Sequence, residues 1–169
     1  MASEVNAELA ARAKENLSSY GNVTVSAGDG IALQSVACDA ILINAGVTHP
    51  PRAWLDHLAE GGRMIVPITM AVSSTGLGKG VMLLVRREGA GPSSDAKYSA
   101  RVLTMVAIYS CSGGRDPELE PLVAKVLTDG AWTKLRSVRV DTDEKTDTCI
   151  LHGNEMCLSA TETAQKNAA

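Results

Sequence analysis

Phenylalanine is absent from this chain, and aromatic residues of all kinds make up only 3% of its 169 residues. Proteins that bind single-stranded nucleic acid stack the bases on exposed aromatic rings, and two tryptophans and three tyrosines offer little surface for that purpose. An excess of positive charge is also lacking, because 16 Lys and Arg stand against 19 Asp and Glu, for a net charge of -3. Since affinity for nucleic acid depends on neutralising phosphates with cations, we expect no nucleic-acid partner.

Long apolar runs are missing as well. No segment approaches the ~20 apolar residues that cross a bilayer, and the first residues, MASEVNAELAARAKENL, carry acids where a signal peptide has a basic start and an apolar centre. We therefore predict a cytoplasmic protein without a membrane partner. The four cysteines, Cys38, Cys111, Cys149 and Cys157, form no C-x-x-C pair. In that compartment we expect reduced thiols that pack as small hydrophobic side chains.

The first half of the chain alternates between helical and strand-like apolar patterns. Asn6 is a suitable cap for a helix that extends through Tyr20 and is expected to bury Leu9, Ala10, Ala13 and Leu17, which recur at helical spacing. The segment NVTVSAGDG then predicts a strand that ends in a tight loop. The near-continuous apolar run CDAILIN, residues 38–44, is typical of a central strand covered on both faces.

A second helix is expected to begin at Pro50 and Pro51, to present Trp54, Leu55 and Leu58, and to stop at the Gly61-Gly62 pair. The strand GRMIVPIT follows it. Because strand, helix and strand recur at the spacing of a crossover connection, the pattern predicts an α/β fold with a doubly wound sheet.

The second half changes character. VMLLVRR and YSARVLTMVAIY predict an antiparallel pair at one edge of the sheet. A helix starting at Asp116 and Pro117 and two short strands, LRSVRVD and TCILHGNEMCL, predict a C-terminal α+β extension. We predict one domain over residues 1–159, with parts at 1–88 and 89–159, and a flexible tail at 160–169.

Two acidic residues stand where predicted strands end. Glu4 precedes the first helix, and Asp29 follows the next strand between Gly28 and Gly30. Open α/β sheets bind ligands at the carboxyl ends of their strands, where a carboxylate can accept hydrogen bonds from ribose hydroxyls or from an adenine amine. An acid near a helix start and a Gly-Asp-Gly turn each have a structural explanation as well, but the two together favour a nucleoside pocket.

Other patterns give no catalytic prediction. The run GLGKG, residues 76–80, is followed by a strand where a phosphate-binding loop needs a helix, so we interpret it as a hairpin linker. His49 and His57 are interpreted as helix-end or surface histidines, because no Ser-His-Asp or Cys-His arrangement follows from their spacing.

Cys149, His152 and Cys157 have a spacing not far from that of zinc knuckles. Residues three apart on one strand point to opposite faces, and no fourth ligand is evident. We therefore predict no metal site.

Four segments, EVNAELAARAKENL, NVTVSAGDG, CDAILIN and LAEGGRMIVPI, resemble S-adenosylmethionine-dependent methyltransferases of the protein-L-isoaspartate O-methyltransferase type in their order and spacing. The likeness covers about residues 4–87. The later segments SARVLTMVAIYSCSGGRDPELEPLV and CILHGNEMCLS are similar to a C-terminal extension of some bacterial relatives. The resemblance implies a Rossmann-like methyltransferase sheet and S-adenosylmethionine as the cofactor.

The same resemblance implies a set of cofactor contacts. Glu4 would hold the ribose hydroxyls, and Asp29 would hold the adenine amine. The backbone near Gly30 would touch the adenine edge, and Asn44 and Ala45 would border the methyl donor.

The family's glycine-rich first strand and loop, which cradle the methionine end of the cofactor, have no counterpart in this sequence. The resemblance places that strand between the strand ending at Glu4 and CDAILIN, so we expect an incomplete sheet with two rows of unpaired backbone groups. Buried groups of this kind cost ~1 to 3 kcal/mol each. We hypothesise that the sheet rearranges, that a second chain supplies strands, or that the chain is a fragment of a longer protein.

The implied activity is methyl transfer from S-adenosylmethionine to the carboxylate of an isoaspartyl residue in a protein or peptide. That step is one in-line displacement in which the protein aligns the reactants, so the resemblance implies no covalent catalytic residue. Without the cradle we expect weak or absent cofactor binding. Two alternatives stay open: methylation of a small molecule, as in precorrin-like relatives, and a non-catalytic binding or assembly module that self-associates through its sheet edges.

Overall fold

The computed structural model of the chain describes residues 1–32, 37–72, 76–89, 96–140 and 145–162. The chain divides into two compact units, Met1–Val36 and Ala37–Ala169. This division differs from the predicted boundary at residue 88, because strands on either side of that residue pair within one sheet, with Glu88 opposite Lys97.

The N-terminal unit contains β1 (Ala2–Glu4), α1 (Ala7–Asn16) and β2 (Val25–Ala27). β1 and β2 pair in parallel, so their carboxyl ends lie side by side. Asn6 caps α1 as predicted, since its Oδ1 accepts hydrogen bonds from the N–H groups of Glu8 and Leu9 at 3.0 Å each.

The predicted extent and burial of α1 are corrected. The helix ends at Asn16 and continues as a turn, in which the Tyr20 N–H bonds to the Leu17 carbonyl at 3.0 Å. Ala10 is buried as predicted, whereas Leu9 is 49% exposed. Periodicity identifies the apolar face of a helix, but burial of that face depends on which element packs against it.

The C-terminal unit contains a sheet of seven described strands in the order β3-β4-β5-β6-β7-β9-β8. Only β3 and β4 pair in parallel, and the remaining neighbours are antiparallel. The strands are β3 (Cys38–Leu42), β4 (Leu58–Ala71), β5 (Leu77–Glu88), β6 (Lys97–Tyr109), β7 (Ser137–Arg139), β8 (Cys149–His152) and β9 (Cys157–Ser159).

β3, predicted to be central, is an edge strand of this sheet. Its neighbour among the described strands is β4 alone, and Leu42 is 71% exposed. The apolar run CDAILIN shows that the strand is suited to burial, but burial also needs a neighbour on each side. The described residues supply one on a single side.

α2 (Arg52–Asp56) follows Pro51 and carries Trp54 and Leu55 as predicted, and the structure buries both side chains. Its predicted end at the Gly61-Gly62 pair is wrong, because β4 has already begun at Leu58. The pairing of β3 with β4 jumps from Leu58 to Arg63 while β3 advances by two residues. The two glycines lie in this irregular stretch, where Gly61 has a φ of +70° that favours glycine.

The antiparallel pair predicted at the edge is confirmed as the long ribbon of β5 and β6. It is longer than predicted, because residues 77–80, interpreted as part of a hairpin linker, belong to β5 and pair with β6, and residues 78–80 pair with β4 as well. Gly80 lies opposite Thr69, and a side chain at position 80 would overlap the backbone carbonyl of Ile68. Glycine at this position therefore permits close strand packing and indicates no ligand.

The predicted third helix is α3 (Glu120–Thr128), and a 3-10 helix (Ala131–Lys134) follows it. Asp116 caps the turn that leads into α3, with its Oδ1 accepting the Glu118 N–H at 2.8 Å. In the described ranges, no helix combines the length and the apolar character needed to cross a membrane.

Residues 148–158, predicted as one strand, form a hairpin instead. β8 and β9 are joined by a tight turn in which the Gly153 N–H bonds to the Met156 carbonyl at 2.9 Å. Ala160, the first residue of the predicted flexible tail, is held in the fold, because its N–H bonds to the Thr148 carbonyl at 2.9 Å. Residues 163–169 of that predicted tail lie outside the described residues.

Aliphatic side chains of β4 and β5 form the centre of the C-terminal unit. The most buried of them are Leu58, Met64, Val66, Leu83 and Val85, each with no exposed surface. Tyr98 is also fully buried, and its hydroxyl donates to the Leu55 carbonyl at 3.0 Å, which joins β6 to α2. Burial raises the pKa of the Tyr98 phenol, so the hydroxyl remains a donor over the neutral range.

The contrast between two leucines of the ribbon tests this core. Leu83→Ala removes a fully buried side chain and is expected to lower the free energy of unfolding by about 2 to 5 kcal/mol. Leu103→Ala, at a side chain that is 39% exposed, is expected to lower it by less than about 1 kcal/mol. Denaturant unfolding of both variants measures the difference, and equal losses would contradict this core.

Candidate functional site

Glu4 and Asp29 lie at the carboxyl ends of two paired parallel strands. Glu4 is the last residue of β1 and stands opposite Ala27, the last residue of β2. The Gly28 N–H continues the pairing with a 2.9 Å bond to the Glu4 carbonyl, and Asp29 follows directly. The structure therefore brings the two predicted acids to one edge of the small sheet.

Each carboxylate is oriented by a hydrogen bond from the backbone two residues later. Glu4 Oε1 accepts the Asn6 N–H at 2.8 Å, and Asp29 Oδ1 accepts the Ile31 N–H at 2.9 Å. A carboxylate offers about four lone-pair sites, so one such bond leaves capacity for ligand hydroxyls or amines. Asp29 is exposed and Glu4 is half-buried, which leaves both accessible to a ligand.

Glycines bring the loop after β2 close to β1. Gly28 has a φ of +145°, which an L side chain rarely adopts, and a Cβ at Gly30 would lie 2.7 Å from the Ser3 Oγ. The Gly-Asp-Gly turn is therefore held against β1. A flat ligand beside Asp29 would meet backbone in place of side chains.

Asn44 and Ala45 follow β3 in the C-terminal unit, where Asn44 is exposed and Ala45 is half-buried. The Ile43 N–H bonds to the Ile65 carbonyl at 2.9 Å, so the segment follows the carboxyl end of β3 and lies beside the middle of β4, which continues to Ala71. Glu4, Asp29 and Gly30 belong to the N-terminal unit. The five predicted cofactor contacts therefore divide between the two units.

Arg115, which sequence reasoning missed, holds the segment that follows Ala45. Its Nη1 donates to the Gly46 carbonyl at 3.0 Å and to the Thr69 Oγ1 at 3.1 Å, and its Nη2 donates to the Thr69 carbonyl at 2.9 Å. Its Nε donates to Glu120 Oε1 at 2.5 Å, which adds an ion pair at the start of α3. The side chain is only 15% exposed, and it ties β4, α3 and the loop after β3 together.

No sequence signal identifies Arg115 in advance. Its two main partners lie 69 and 46 positions earlier in the chain, and a single arginine before a helix has no periodicity. The residues beside it add further links, since the Thr48 Oγ1 accepts the Asp116 N–H at 2.9 Å and the Thr48 N–H bonds to the Gly114 carbonyl at 3.2 Å.

His49 stands next to this network. Its Nδ1 lies 3.0 Å from the Thr48 Oγ1, and this hydroxyl can donate its proton to the ring while its oxygen accepts the Asp116 N–H. Burial lowers the pKa of the His49 imidazole, and the charges of Asp116 and Glu155 partly oppose that shift. The ring is therefore neutral at pH 7 and suited to accept a hydrogen bond. His57 lies at the end of α2, where a ring nitrogen is 2.5 Å from the Ala53 carbonyl, which confirms the helix-end interpretation.

The cysteine predictions need two corrections. Cys149 and Cys157 are joined as a disulfide, whereas Cys38 and Cys111 form no disulfide. The prediction of no metal site assumed that Cys149 and His152 point to opposite faces of one strand. That assumption is wrong, since the ligand atoms of Cys149, His152 and Cys157 lie within 4.8 Å of one another. They come together because residues 148–158 form a hairpin and not the single strand on which that assumption depended.

Comparisons with known proteins agree with the resemblance in the sequence. A model of the protein-L-isoaspartate(D-aspartate) O-methyltransferase family matches residues 1–92, more than half of the chain. Protein-L-isoaspartate O-methyltransferase 2 of Geotalea uraniireducens (strain Rf4) is 29% identical over 109 residues, which cover 62% of this chain and 48% of that protein. Protein-L-isoaspartate O-methyltransferase 1 of Syntrophobacter fumaroxidans is 42% identical over 69 residues, which cover 38% of this chain and 32% of that protein. The chain thus spans about half or less of the length of these relatives.

A solved structure of a protein-L-isoaspartate O-methyltransferase superposes with a TM-score of 0.53 at 23% sequence identity. The match covers 73% of this chain and 36% of that chain. At this level of identity the likeness shows the fold, and it confirms the predicted α/β, Rossmann-like methyltransferase class.

Removal of the Arg115 side chain tests its role in holding the loop after β3. Arg115→Leu is expected to lower the free energy of unfolding by about 1.5 to 3 kcal/mol, because it deletes hydrogen bonds from a charged group. It is also expected to speed hydrogen exchange at the Thr48 amide, which bonds to the carbonyl next to Arg115. Arg101→Leu, at an exposed position of β6, is the matched control and should change neither quantity. Unchanged exchange at Thr48 in Arg115→Leu would exclude this role.

Proposed function

Since the chain belongs to the protein-L-isoaspartate(D-aspartate) O-methyltransferase family, we propose that it supplies the adenosine-binding acids and the C-terminal part of an S-adenosylmethionine-dependent methyltransferase. The observation that carries this proposal is the placement of Glu4 and Asp29 at the carboxyl ends of the paired strands β1 and β2.

The geometry of the N-terminal unit fits an adenosine. Two carboxylates at adjacent strand ends offer acceptors to the ribose hydroxyls and to the exocyclic amine of adenine. Both of these ligand groups are neutral hydrogen-bond donors. The Gly28 to Gly30 backbone supplies the flat surface beside Asp29, where a Cβ at residue 30 would meet Ser3. Glu4 is proposed to bind the ribose, Asp29 the adenine amine and the backbone at Gly30 the adenine edge.

Asn44 and Ala45 are proposed to border the methyl donor at the end of β3. S-adenosylmethionine supplies an electrophilic methyl group when it is bound. The residues described here bind and orient the reactants, because an in-line displacement needs alignment and exclusion of water more than a covalent partner. Arg115 positions this segment through the Gly46 carbonyl and does not contact the reacting atoms in this proposal.

The methyl acceptor is proposed from the family alone as the carboxylate of an isoaspartyl residue in a protein or peptide. A small-molecule acceptor is the alternative within enzymes. Transfer of labelled methyl groups to an isoaspartyl peptide, compared with a panel of small carboxylic and heterocyclic acceptors, distinguishes the two. Because the chain spans about half or less of its relatives, we expect weak cofactor binding and a low rate in either case.

Titration with S-adenosylhomocysteine, followed by amide chemical shifts, tests the adenosine site. We expect shifts at residues 4 and 28–31 and a dissociation constant near 1 mM, equivalent to about 4 kcal/mol of binding free energy. Asp29→Ala should abolish the shifts, because it removes the acceptor for the adenine amine. Asp39→Ala, at an exposed acid of β3, is the control and should leave them unchanged.

Two results of the titration would contradict the proposal. One is the absence of shifts at these residues in the folded chain at saturating ligand. The other is binding that survives Asp29→Ala unchanged. Micromolar binding that disappears in Asp29→Ala would support the adenosine site and overturn only the expectation of weak affinity.

Assembly through a sheet edge is a second candidate function, favoured by the position of β3. This strand pairs with β4 on one side, its other edge has no partner strand among the described residues, and it carries the exposed Leu42. A strand edge with unpaired N–H and C=O groups can accept another strand. We therefore propose that the chain self-associates through β3.

Light scattering after gel filtration tests this association over a wide range of chain concentration. The mass is expected to rise above that of the 17.7 kDa chain as concentration increases. Leu42→Lys should return it to one chain, because a charge on the edge opposes pairing. Leu103→Lys places the same charge on another exposed leucine as the control. A single-chain mass at every concentration would rule out self-association.

A further inference from the structure

We propose that the reduced chain binds one zinc ion through the Sγ atoms of Cys149 and Cys157 and the Nδ1 of His152. The three ligand atoms lie within 4.8 Å of one another, in the part of the chain that the structure describes. The Cys149 Sγ and the His152 Nδ1 are 3.9 Å apart. Zn–S and Zn–N bonds of about 2.3 and 2.0 Å place two tetrahedral ligands about 3.5 to 3.8 Å from each other.

The β8–β9 hairpin brings these residues to one face. His152 lies directly opposite Cys157, and Cys149 lies opposite Ser159. Since Cys157 and Ser159 are two residues apart on β9, their side chains share a face. Cys149 joins His152 on that face because the pairing shifts by one residue between Cys149 and Leu151, which is the effect of a β-bulge.

The surroundings of the Cys149 sulfur suit a thiolate ligand. The Thr146 N–H donates to the Cys149 Sγ at 3.4 Å, and the Thr146 Oγ1 lies 3.5 Å from the same sulfur. Arg139 lies opposite Cys157 in the pairing of β7 with β9, and its Nη1 donates to the Thr146 Oγ1 at 3.2 Å. Backbone donors and a nearby cation both favour a thiolate over a thiol.

The ligand set selects the metal. Two thiolates and one imidazole are soft or borderline donors, which favour zinc over magnesium or calcium. Cys157 is fully buried, while Cys149 and His152 are half-buried, so the ion would enter from the exposed side and keep a water molecule in the fourth position. Binding releases the two thiol protons to solvent.

The disulfide and the zinc ion compete for the same two sulfurs. In the disulfide form recorded here, Cys149 and Cys157 are bonded to each other and cannot act as thiolates. Zinc binding is therefore a property of the reduced chain alone. The proposed methyltransferase role does not enter the argument, since none of the three residues belongs to the proposed adenosine site.

Cobalt and zinc titrations of the full chain test the proposal. The chain is stripped of metal, reduced with a phosphine, and titrated with Co²⁺, which gives thiolate charge-transfer absorption and tetrahedral visible bands. We expect saturation at one equivalent, displacement of the bands by Zn²⁺, and no bands in the oxidised chain. Zinc should also slow the reaction of Cys149 and Cys157 with a thiol reagent, while Cys38 and Cys111 react as before.

Variants separate this site from adventitious binding. His152→Gln and Cys149→Ser, both at half-buried positions, are expected to weaken zinc binding by roughly 100-fold. Cys111→Ser is the control and should bind as the unchanged chain does. Circular dichroism checks that each variant is folded. Unaltered affinity in His152→Gln and Cys149→Ser, the absence of stoichiometric cobalt bands, or resistance of the disulfide to the reductant would each overturn the proposal.

Discussion

The two-sided backbone pairing of β4 is the constraint on which the C-terminal unit depends. On one side β4 runs parallel to β3, and on the other it runs antiparallel to β5. The parallel side places the end of β3, with Asn44 and Ala45, beside the middle of β4, since Leu42 pairs with Ile65 and β4 continues to Ala71. The antiparallel side begins the long ribbon of β5 and β6, which buries Leu83 and Tyr98. A single strand therefore connects the proposed donor-side segment to the core.

Two kinds of contact hold the proposed binding residues, and they differ in range. Glu4 and Asp29 each accept a hydrogen bond from the backbone N–H two residues later, so a local turn orients each carboxylate. The loop after β3 depends on Arg115, whose contacts join positions 46, 69 and 120. His49, whose pKa is lowered by burial, lies next to these Arg115 contacts with a neutral ring. Local turns thus orient the two acids of the N-terminal unit, while tertiary hydrogen bonds hold the loop after β3 in the C-terminal unit.

The β8–β9 hairpin shows how one irregular pairing changes the chemistry of a segment. A regular strand would separate Cys149 and His152 onto two faces, but the shift in register places both with Cys157. The same shift explains the disulfide, since Cys149 and Cys157 have Cα atoms 6.0 Å apart across the hairpin. Two thiols at this distance can form a disulfide or, in the proposed reduced state, bind one metal ion together.

The sequence by itself determined the features that depend on neighbours in the chain. The Asn6 cap, the helical position of Trp54 and Leu55, each strand of the ribbon and the acid at the end of each N-terminal strand follow from patterns of fewer than about 15 residues, where periodicity, caps and turns act. Tertiary structure alone decided the rest: the edge position of β3, the bulge at Gly61 and Gly62, the hydrogen bonds of Arg115 and the proximity of Cys149, His152 and Cys157. Each of these requires distant backbone segments to pair in one particular register, and side-chain alternation along the sequence does not encode where that register shifts.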